Sequence, residues 1–193
     1  MLVALAAIEL RASCTGTSVA CFGYSRQVLK IRRAVESDLP GIFAIYDDEV
    51  LHGTASFDEQ PYTAARRQSW LHEHASEQHP VLVADDGTEI LAWGSLAPWS
   101  DKSACARAAE VSVYVHKHCL REGLGRTMLQ ELITHARAVE LGVLLSRVTT
   151  DSQNTLELQA EFGFRHVGTL RRVAKKFGRL LDVELFELEI SGQ

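Results

Sequence analysis

Residues 110 to 142 constrain the fold more strongly than any other part of the chain. Glu110 to Val115 alternate polar and apolar side chains, which predicts a β-strand. Gly123 and Gly125 follow, and apolar residues then recur at helical spacing, at Leu124, Met128, Leu129, Leu132, Ile133 and Ala136. A strand that turns through glycines into an amphipathic helix, ending near Gly142, predicts an α/β domain.

The flanking sequence supplies the remaining strands and helices of this domain. Strands are predicted over 28–32, 81–84, 90–96, 144–150, 165–173 and 182–190, and helices after Asp38 and over 63–77 and 154–162. Asp85-Asp86-Gly87 predicts a hairpin turn, so the second and third of these strands are antiparallel. Because 193 residues suit a single core, we expect one domain built on a mixed sheet.

Residues 1–28 lack a sustained period of either kind, and we interpret them as an N-terminal extension ahead of a domain over 29–193. Glu9 and Arg11 interrupt the longest apolar run, which excludes a bilayer span of roughly 20 residues. The basic start of a secretory signal is missing. The four cysteines have no paired spacing, so we expect free thiols in the cytoplasm.

Charge and ligand-type residues exclude several classes of partner. A formal charge of −5 provides no general basic field for nucleic acid or an anionic membrane, so we expect neither. The segment His116-Lys117-His118-Cys119 has no second ligand pair at a recognisable spacing, and we predict no metal site. We expect His72, His74 and His79 to be solvated, on or beyond a charged helix.

The glycine loop indicates a local anion site. Backbone N–H groups of Arg121 to Arg126 converge at the positive end of a helix, where a pyrophosphate fits, and a tight strand-to-helix turn is the alternative interpretation. A dinucleotide fingerprint is excluded because Met128 stands where it needs a third glycine, and a P-loop is excluded because no Gly-Lys-Ser/Thr follows.

Several spaced motifs together indicate a family. These are Glu110-Val111-Ser112-Val113-Tyr114-Val115, Arg121-Glu122-Gly123-Leu124-Gly125, Gly53-Thr54-Ala55-Ser56-Phe57, Gly163-Phe164 and Lys176-Phe177-Gly178-Arg179. With them, the chain from Ile31 to Ile190 resembles the GNAT superfamily of acyl-CoA-dependent N-acyltransferases, and within it the phosphinothricin and methionine sulfone acetyltransferase group. The resemblance implies a mixed, mostly antiparallel twisted sheet with splayed central strands flanked by helices.

The resemblance also implies an activity and its residues. The co-substrate would be acetyl-CoA, and the acceptor would be the primary amine of a small, amino-acid-like molecule. Glu110 would be the general base, and the protein would form a homodimer. Residues implied to contact acetyl-CoA are Val113, Tyr114, Val115, Leu120, Arg121, Glu122, Gly123, Leu124, Gly125, Arg126 and Asn154. A solvated carboxylate at a strand end is the alternative interpretation of Glu110.

Two departures from the family pattern bear on mechanism and substrate. Gln159 stands where many members have a tyrosine acid, and Ser103 to Ala106 provide neither an arginine nor the aromatic residue that hold substrate in this group, so that the neighbouring Arg107 is the guanidinium left in this loop. The remaining substrate candidates are Phe57, Cys105, Arg107 and Lys176, and we expect weak activity on phosphinothricin and methionine sulfone. A protein N-terminal or lysine acetyltransferase, and an acyl-CoA-binding module without turnover, stay open as alternatives.

Overall fold

The computed structural model describes residues 7–8 and 29–190 of the chain, which form eight strands and four α-helices. The strands are β1 (Ala7–Ile8), β2 (Leu29–Arg33), β3 (Val81–Asp85), β4 (Ile90–Pro98), β5 (Ala108–Val115), β6 (Val143–Thr149), β7 (Arg165–Lys176) and β8 (Arg179–Glu189). The helices are α1 (Leu39–His52), α2 (Ala64–Glu73), α3 (Leu124–Ala138) and α4 (Gln153–Glu161). Three single 3₁₀ turns cover Glu36–Asp38, Ser103–Cys105 and Lys117–Cys119.

The strands form one sheet in the order β1-β2-β3-β4-β5-β6-β8-β7. Every neighbouring pair is antiparallel except β5 and β6, which run parallel. That parallel pairing covers Ala108 to Glu110 on β5 and ends at the Glu110–Leu145 pair. On its other side β5 remains paired with β4 as far as Val115, so β5 and β6 diverge after their first residues. The predicted mixed, mostly antiparallel sheet with splayed central strands is confirmed.

Helices cover both faces of the sheet, and each face has its own apolar core. Met128, Leu132 and the rest of the buried stripe of α3 pack with Leu96 and Val111 of the sheet. The opposite face carries α1 and an aromatic cluster in which Tyr114 stacks on Trp93 with ring centroids 4.7 Å apart. Strand alternation therefore sends Val113 and Val115 of β5 toward α3 and Tyr114 toward α1.

Some boundaries differ from the sequence prediction. Helix α2 begins as expected after Thr63, whose hydroxyl accepts a hydrogen bond from the Arg66 N–H at 3.3 Å, but it ends at Glu73 rather than 77. Ala7 and Ile8, inside the predicted extension, pair with Lys30 and Leu29 at the edge of the sheet. The rest of 1–28 lies outside the described residues, and the domain boundary at 28/29 stays a prediction.

One histidine explains the early end of α2. His74 is only 9% exposed, its Nδ1 lies 2.8 Å from the Trp70 carbonyl, and its ring packs 4.8 Å from the Trp70 ring. The chain turns inward to bury this ring. The expectation of a solvated His74 was therefore wrong, while His72 is exposed as predicted.

This burial predicts a pH-dependent stability. Desolvation lowers the pKa of His74, and that of His79 in the same way, so the unfolded chain binds more protons than the native one near the ordinary histidine pKa. The contribution of His74 to the unfolding free energy should be fully present above about pH 6.5 and decrease as the pH falls below it, by up to about 1.4 kcal/mol at pH 5.5. The more exposed His79 should add less, because solvent screens its charge.

Urea titrations between pH 8 and 5.5 measure this slope. The His74→Asn variant, whose amide can still donate to the Trp70 carbonyl, should flatten the slope, and His72→Asn on the same helix should leave it unchanged. An identical slope in wild type and His74→Asn would contradict the assignment.

Candidate active site

A groove of about 1090 Å³ opens where β5 and β6 diverge. On the α3 side its wall includes Val113, Val115, Gly125 and the beginning of α4, and on the α1 side it includes Glu49, Gly53 and Arg147. The opening therefore passes through the sheet from one face to the other. Two reactants can enter it from opposite faces and meet at the divergence point.

The backbone of β5 forms one edge of this groove. Beyond Glu110 the side of β5 that faces β6 has no strand partner among the described residues, while Val113, Tyr114 and Val115 line the opening. Such an edge can hydrogen-bond an extended ligand that carries amide groups, as an added strand would.

The N-terminus of α3 closes one end of the groove. Leu124, Gly125 and Arg126 occupy its first three positions, where a helix provides no acceptors for the N–H groups. The preceding turn needs left-handed backbone at Arg121 (φ 67°) and Gly123 (φ 85°). Aligned amides at the positive end of a helix bind an anion, so the sequence prediction gains a geometric basis here.

Some of the residues predicted to contact acetyl-CoA lie on the groove wall near this helix end, and others do not. Leu120, Arg121, Arg126 and Asn154 all line the groove, and Arg126 pairs with Glu161 of α4. Glu122 is exposed and Leu124 is buried under α3, so these two residues can contribute only their backbone. Asn154 lies in the first turn of α4, and Ser152, which precedes that helix, also lines the groove.

Glu110 lies at the last residue pair between β5 and β6, where the opening begins, and its carboxylate is held by Arg147. The Arg147 Nε and Nη2 groups donate to the two Glu110 carboxylate oxygens at 2.7 and 2.6 Å. The Glu110 side chain is 19% exposed and the Arg147 side chain 43% exposed. This bidentate hydrogen bond raises the pKa of Arg147. The sequence analysis missed Arg147, although a charged residue within the apolar run of β6 was a usable signal.

An aromatic and acidic wall faces this pair. Tyr114 lines the groove, and burial raises the pKa of its hydroxyl, with the nearby Glu49 and Glu110 carboxylates adding to the increase. Glu49 also lines the groove and accepts a hydrogen bond from the Ala55 N–H at 2.7 Å. Glu49 therefore offers a carboxylate to an amine-bearing ligand, while Arg147 on the same wall pairs with Glu110.

Gln159 lies inside the groove, on the α4 side. It is 5% exposed, and its Nε2 donates to the Ser146 hydroxyl at 3.0 Å. Its Oε1 has no partner among the described residues. An amide cannot act as an acid at this position.

The four substrate candidates do not lie on the groove wall. Phe57 is exposed beyond the end of α1, and Cys105 is half-buried in a 3₁₀ turn. Arg107 donates to the Glu140 carbonyl at 3.4 Å, near the end of α3. The loop that contains Cys105 and Arg107 precedes β5, and neither residue is on the groove wall, so their contact with substrate stays a prediction.

Lys176 has a structural environment instead of a substrate-binding one. It is 4% exposed, and its ammonium donates to the Ser56 carbonyl at 2.8 Å and the Glu49 carbonyl at 3.3 Å. Burial lowers the pKa of this amine. Lys176 thus ties the end of β7 to the segment after α1, and its contact with the groove is indirect.

Two kinds of feature are absent from the described residues. Within 7–8 and 29–190, no group of three or more His, Cys, Asp or Glu side chains is placed to hold a metal ion. No described helix is both long and apolar enough to cross a membrane.

Comparison with known proteins identifies similar chains. Residues 31–185 match the family described as acetyltransferase (GNAT) domain. The L-methionine sulfoximine/L-methionine sulfone acetyltransferase of Pseudomonas paraeruginosa is 37% identical, over 83% of this chain and 94% of that protein. The phosphinothricin N-acetyltransferase of Streptomyces coelicolor is 33% identical, over 82% of this chain and 95% of that protein.

A solved structure is similar over nearly the same span. It is that of a Salmonella typhimurium protein, determined with its cofactor acetyl-CoA. Its TM-score is 0.81 and its identity 28%, over 86% of this chain and 95% of that chain.

Proposed function

This chain belongs to the GNAT family of acetyltransferases, and from that premise we propose that it transfers the acetyl group of acetyl-CoA to the primary amine of a small, amino-acid-like molecule. The observation that carries the proposal is the groove between β5 and β6, whose wall extends from the N-terminus of α3 to Arg147, the residue that holds the Glu110 carboxylate. The family resemblance expected from the sequence motifs is confirmed.

The residues of the groove suit acetyl-CoA, whose thioester would supply the acetyl group. The amides of Leu124, Gly125 and Arg126 would bind its pyrophosphate, and the unpaired edge of β5 would bind its extended amide arm. Gly125 leaves room for this ligand, because a Cβ at that position would lie 3.6 Å from Val115 and 3.9 Å from Leu158, both on the groove wall.

Glu110 would act as the general base. An amine attacks a thioester carbonyl only in its neutral form, so a carboxylate close to the opening must accept its proton. Arg147 occupies one position on each Glu110 oxygen, and each oxygen keeps a second lone pair for that proton. As the new C–N bond forms, the C–S bond breaks, and a thiol with a pKa of about 8.5 can depart as thiolate without an acid at Gln159.

The acceptor is proposed from the named activities of the relatives. Both relatives described above are named for small amino-acid analogues. The Glu49 carboxylate on the groove wall, with Glu110 at the end of the pairing between β5 and β6, suits the ammonium group of such a molecule.

A turnover screen tests the proposal. Thiol release from acetyl-CoA should be followed with free amino acids, their sulfone and sulfoximine analogues, polyamines and a peptide with a free N-terminus. Turnover with a small amino acid supports the proposal. Turnover with the peptide alone would identify a protein acetyltransferase, and binding without thiol release would identify an acyl-CoA-binding module.

Two further parts of the proposal concern the whole molecule. The edge hairpin of β7 and β8 exposes Val167, Leu170, Val173, Phe177 and Leu180, an apolar surface that supports a homodimer. Light scattering of the purified chain would give the oligomeric state directly.

Cys105 and Cys119, the cysteines within the described residues, are free thiols, which supports a reducing cytoplasm.

The first prediction concerns Glu110. Glu110→Gln keeps the size of the side chain but removes the base, so kcat/KM should fall about 100-fold or more at neutral pH, with little change in the Kd of acetyl-CoA. Glu187→Gln is the matched control, because Glu187 also pairs with an arginine, Arg165, but lies on β8 outside the groove wall. Wild-type turnover in Glu110→Gln would remove this residue from the mechanism.

The second prediction concerns the glycine loop. Gly125→Val places a side chain between Val115 and Leu158 at ordinary contact distance, so the domain should fold while its affinity for coenzyme A falls about 10-fold or more. Gly123 is a poorer test, because its φ of 85° would strain any valine.

Calorimetry with coenzyme A measures the effect of Gly125→Val. Gly168→Val on β7 serves as control, since a Cβ there meets no atom within 4 Å. Undiminished binding by a folded Gly125→Val variant would show that the ligand lies elsewhere.

A further inference from the structure

Arg147 uses only one edge of its guanidinium on Glu110. The Nε and Nη2 groups make the two hydrogen bonds to the carboxylate, and Nη1 has no partner among the described residues. A guanidinium has five N–H donors arranged in two bidentate edges. The edge formed by Nη1 and Nη2 therefore retains donors for a second carboxylate.

Arg147 also lies at the point where β6 becomes the wall of the groove. The last residue of β6 that pairs with β5 is Leu145, two positions earlier. Leu144 and Val148 point into the core below α3, so alternation sends Arg147 to the face of α1. Thr149, on the same face, has its hydroxyl 3.4 Å from that of Thr54 in the segment after α1. A half-exposed ion pair contributes little stability by itself, which leaves the arginine available for binding.

The other cations considered as substrate contacts are already engaged. Arg107 contacts the Glu140 carbonyl, and Lys176 contacts two backbone carbonyls below the groove. At the far end, Arg126 pairs with Glu161. Of the cationic side chains on the groove wall, within the described residues, Arg147 is the one that contacts Glu110.

We propose that Arg147 binds the α-carboxylate of the acceptor on its Nη1/Nη2 edge while its Nε/Nη2 edge holds Glu110, so that one guanidinium sets the spacing between acceptor and base. This inference rests on the proposed function and specifies its acceptor as an α-amino acid. In such a molecule the amine is attached to the carbon next to the carboxylate. A carboxylate held on one edge of Arg147 thus brings the amine close to the Glu110 oxygens on the adjacent edge, as direct proton transfer requires.

The inference changes one expectation drawn from the sequence. Weak activity on phosphinothricin and methionine sulfone was expected because Ser103 to Ala106 offer no guanidinium apart from the neighbouring Arg107, and an unpaired carboxylate is costly to desolvate. Arg147 supplies that cation from β6 instead. The carboxylate is therefore no obstacle to an amino-acid acceptor, and the missing aromatic residue affects only the fit of its side chain.

The test compares acceptors with and without the carboxylate. L-Methionine sulfone, L-methionine and L-phenylalanine are each paired with their α-carboxamide, and the ratio of kcat/KM for acid over amide is measured in the wild type, Arg147→Gln and Arg147→Lys. The wild type should favour the acids. Arg147→Gln should lower the ratio by about 10-fold or more, and Arg147→Lys, which keeps the charge but loses the second edge, should lower it less.

A binding measurement provides a second readout. Calorimetric titration of the same acids and amides into protein saturated with coenzyme A, which carries no acetyl group, should show the same loss of preference in Arg147→Gln. Arg165→Gln is the control, because Arg165 pairs with Glu187 outside the groove wall and its loss should leave the ratio unchanged.

The outcomes separate this inference from the proposed function. If Arg147 serves only to hold Glu110, Arg147→Gln lowers turnover of acids and amides by the same factor, and the inference is overturned while acetyl transfer stands. A wild-type preference for the carboxamides overturns it as well. Failure of all six acceptors, with no thiol released, refutes the amino-acid acceptor of the proposed function and the inference together.

Discussion

The pairing of β5 with β6 stops at Glu110 and Leu145, and the rest of the site depends on this early stop in the pairing. Had the parallel ladder continued, the backbone edge of β5 would be satisfied and the sheet closed. Because it stops, the two strands diverge and leave an opening whose walls are one strand edge, the N-terminus of α3 and the beginning of α4. The same divergence gives Glu110 and Arg147 a side that is open to solvent.

The opening connects two chemically different surfaces because strand alternation assigns neighbouring residues to opposite faces. Val113 and Val115 join the core beneath α3, where exposed helix amides favour an anion. Tyr114 joins the aromatic cluster beneath α1, and the Glu110–Arg147 pair occupies the same face. A phosphate-bearing donor and an amine acceptor can thus approach from opposite faces and meet at the end of the ladder, which is how the geometry supports acetyl transfer.

The fold could be predicted from the sequence because its signals are local, and the proposed anion site rests on the same segments. Alternation in β5, the glycines before α3 and the apolar stripe of α3 each lie within one short segment. The Glu110–Arg147 contact joins residues 37 positions apart, and nothing near either residue in sequence indicates it. The burial of His74 was missed because it depends on packing against the Trp70 ring, and the backbone carbonyls that Arg107 and Lys176 contact lie far from these residues in sequence.

A crystal structure of the protein with coenzyme A tests the central claim most directly. The account predicts that the amide groups of the extended arm hydrogen-bond to the β5 backbone between Val111 and Val115, with the pyrophosphate on the first amides of α3. Coenzyme A bound with that edge of β5 still unpaired, or seated in the separate cavity beside Arg32 and Asp85, would contradict it.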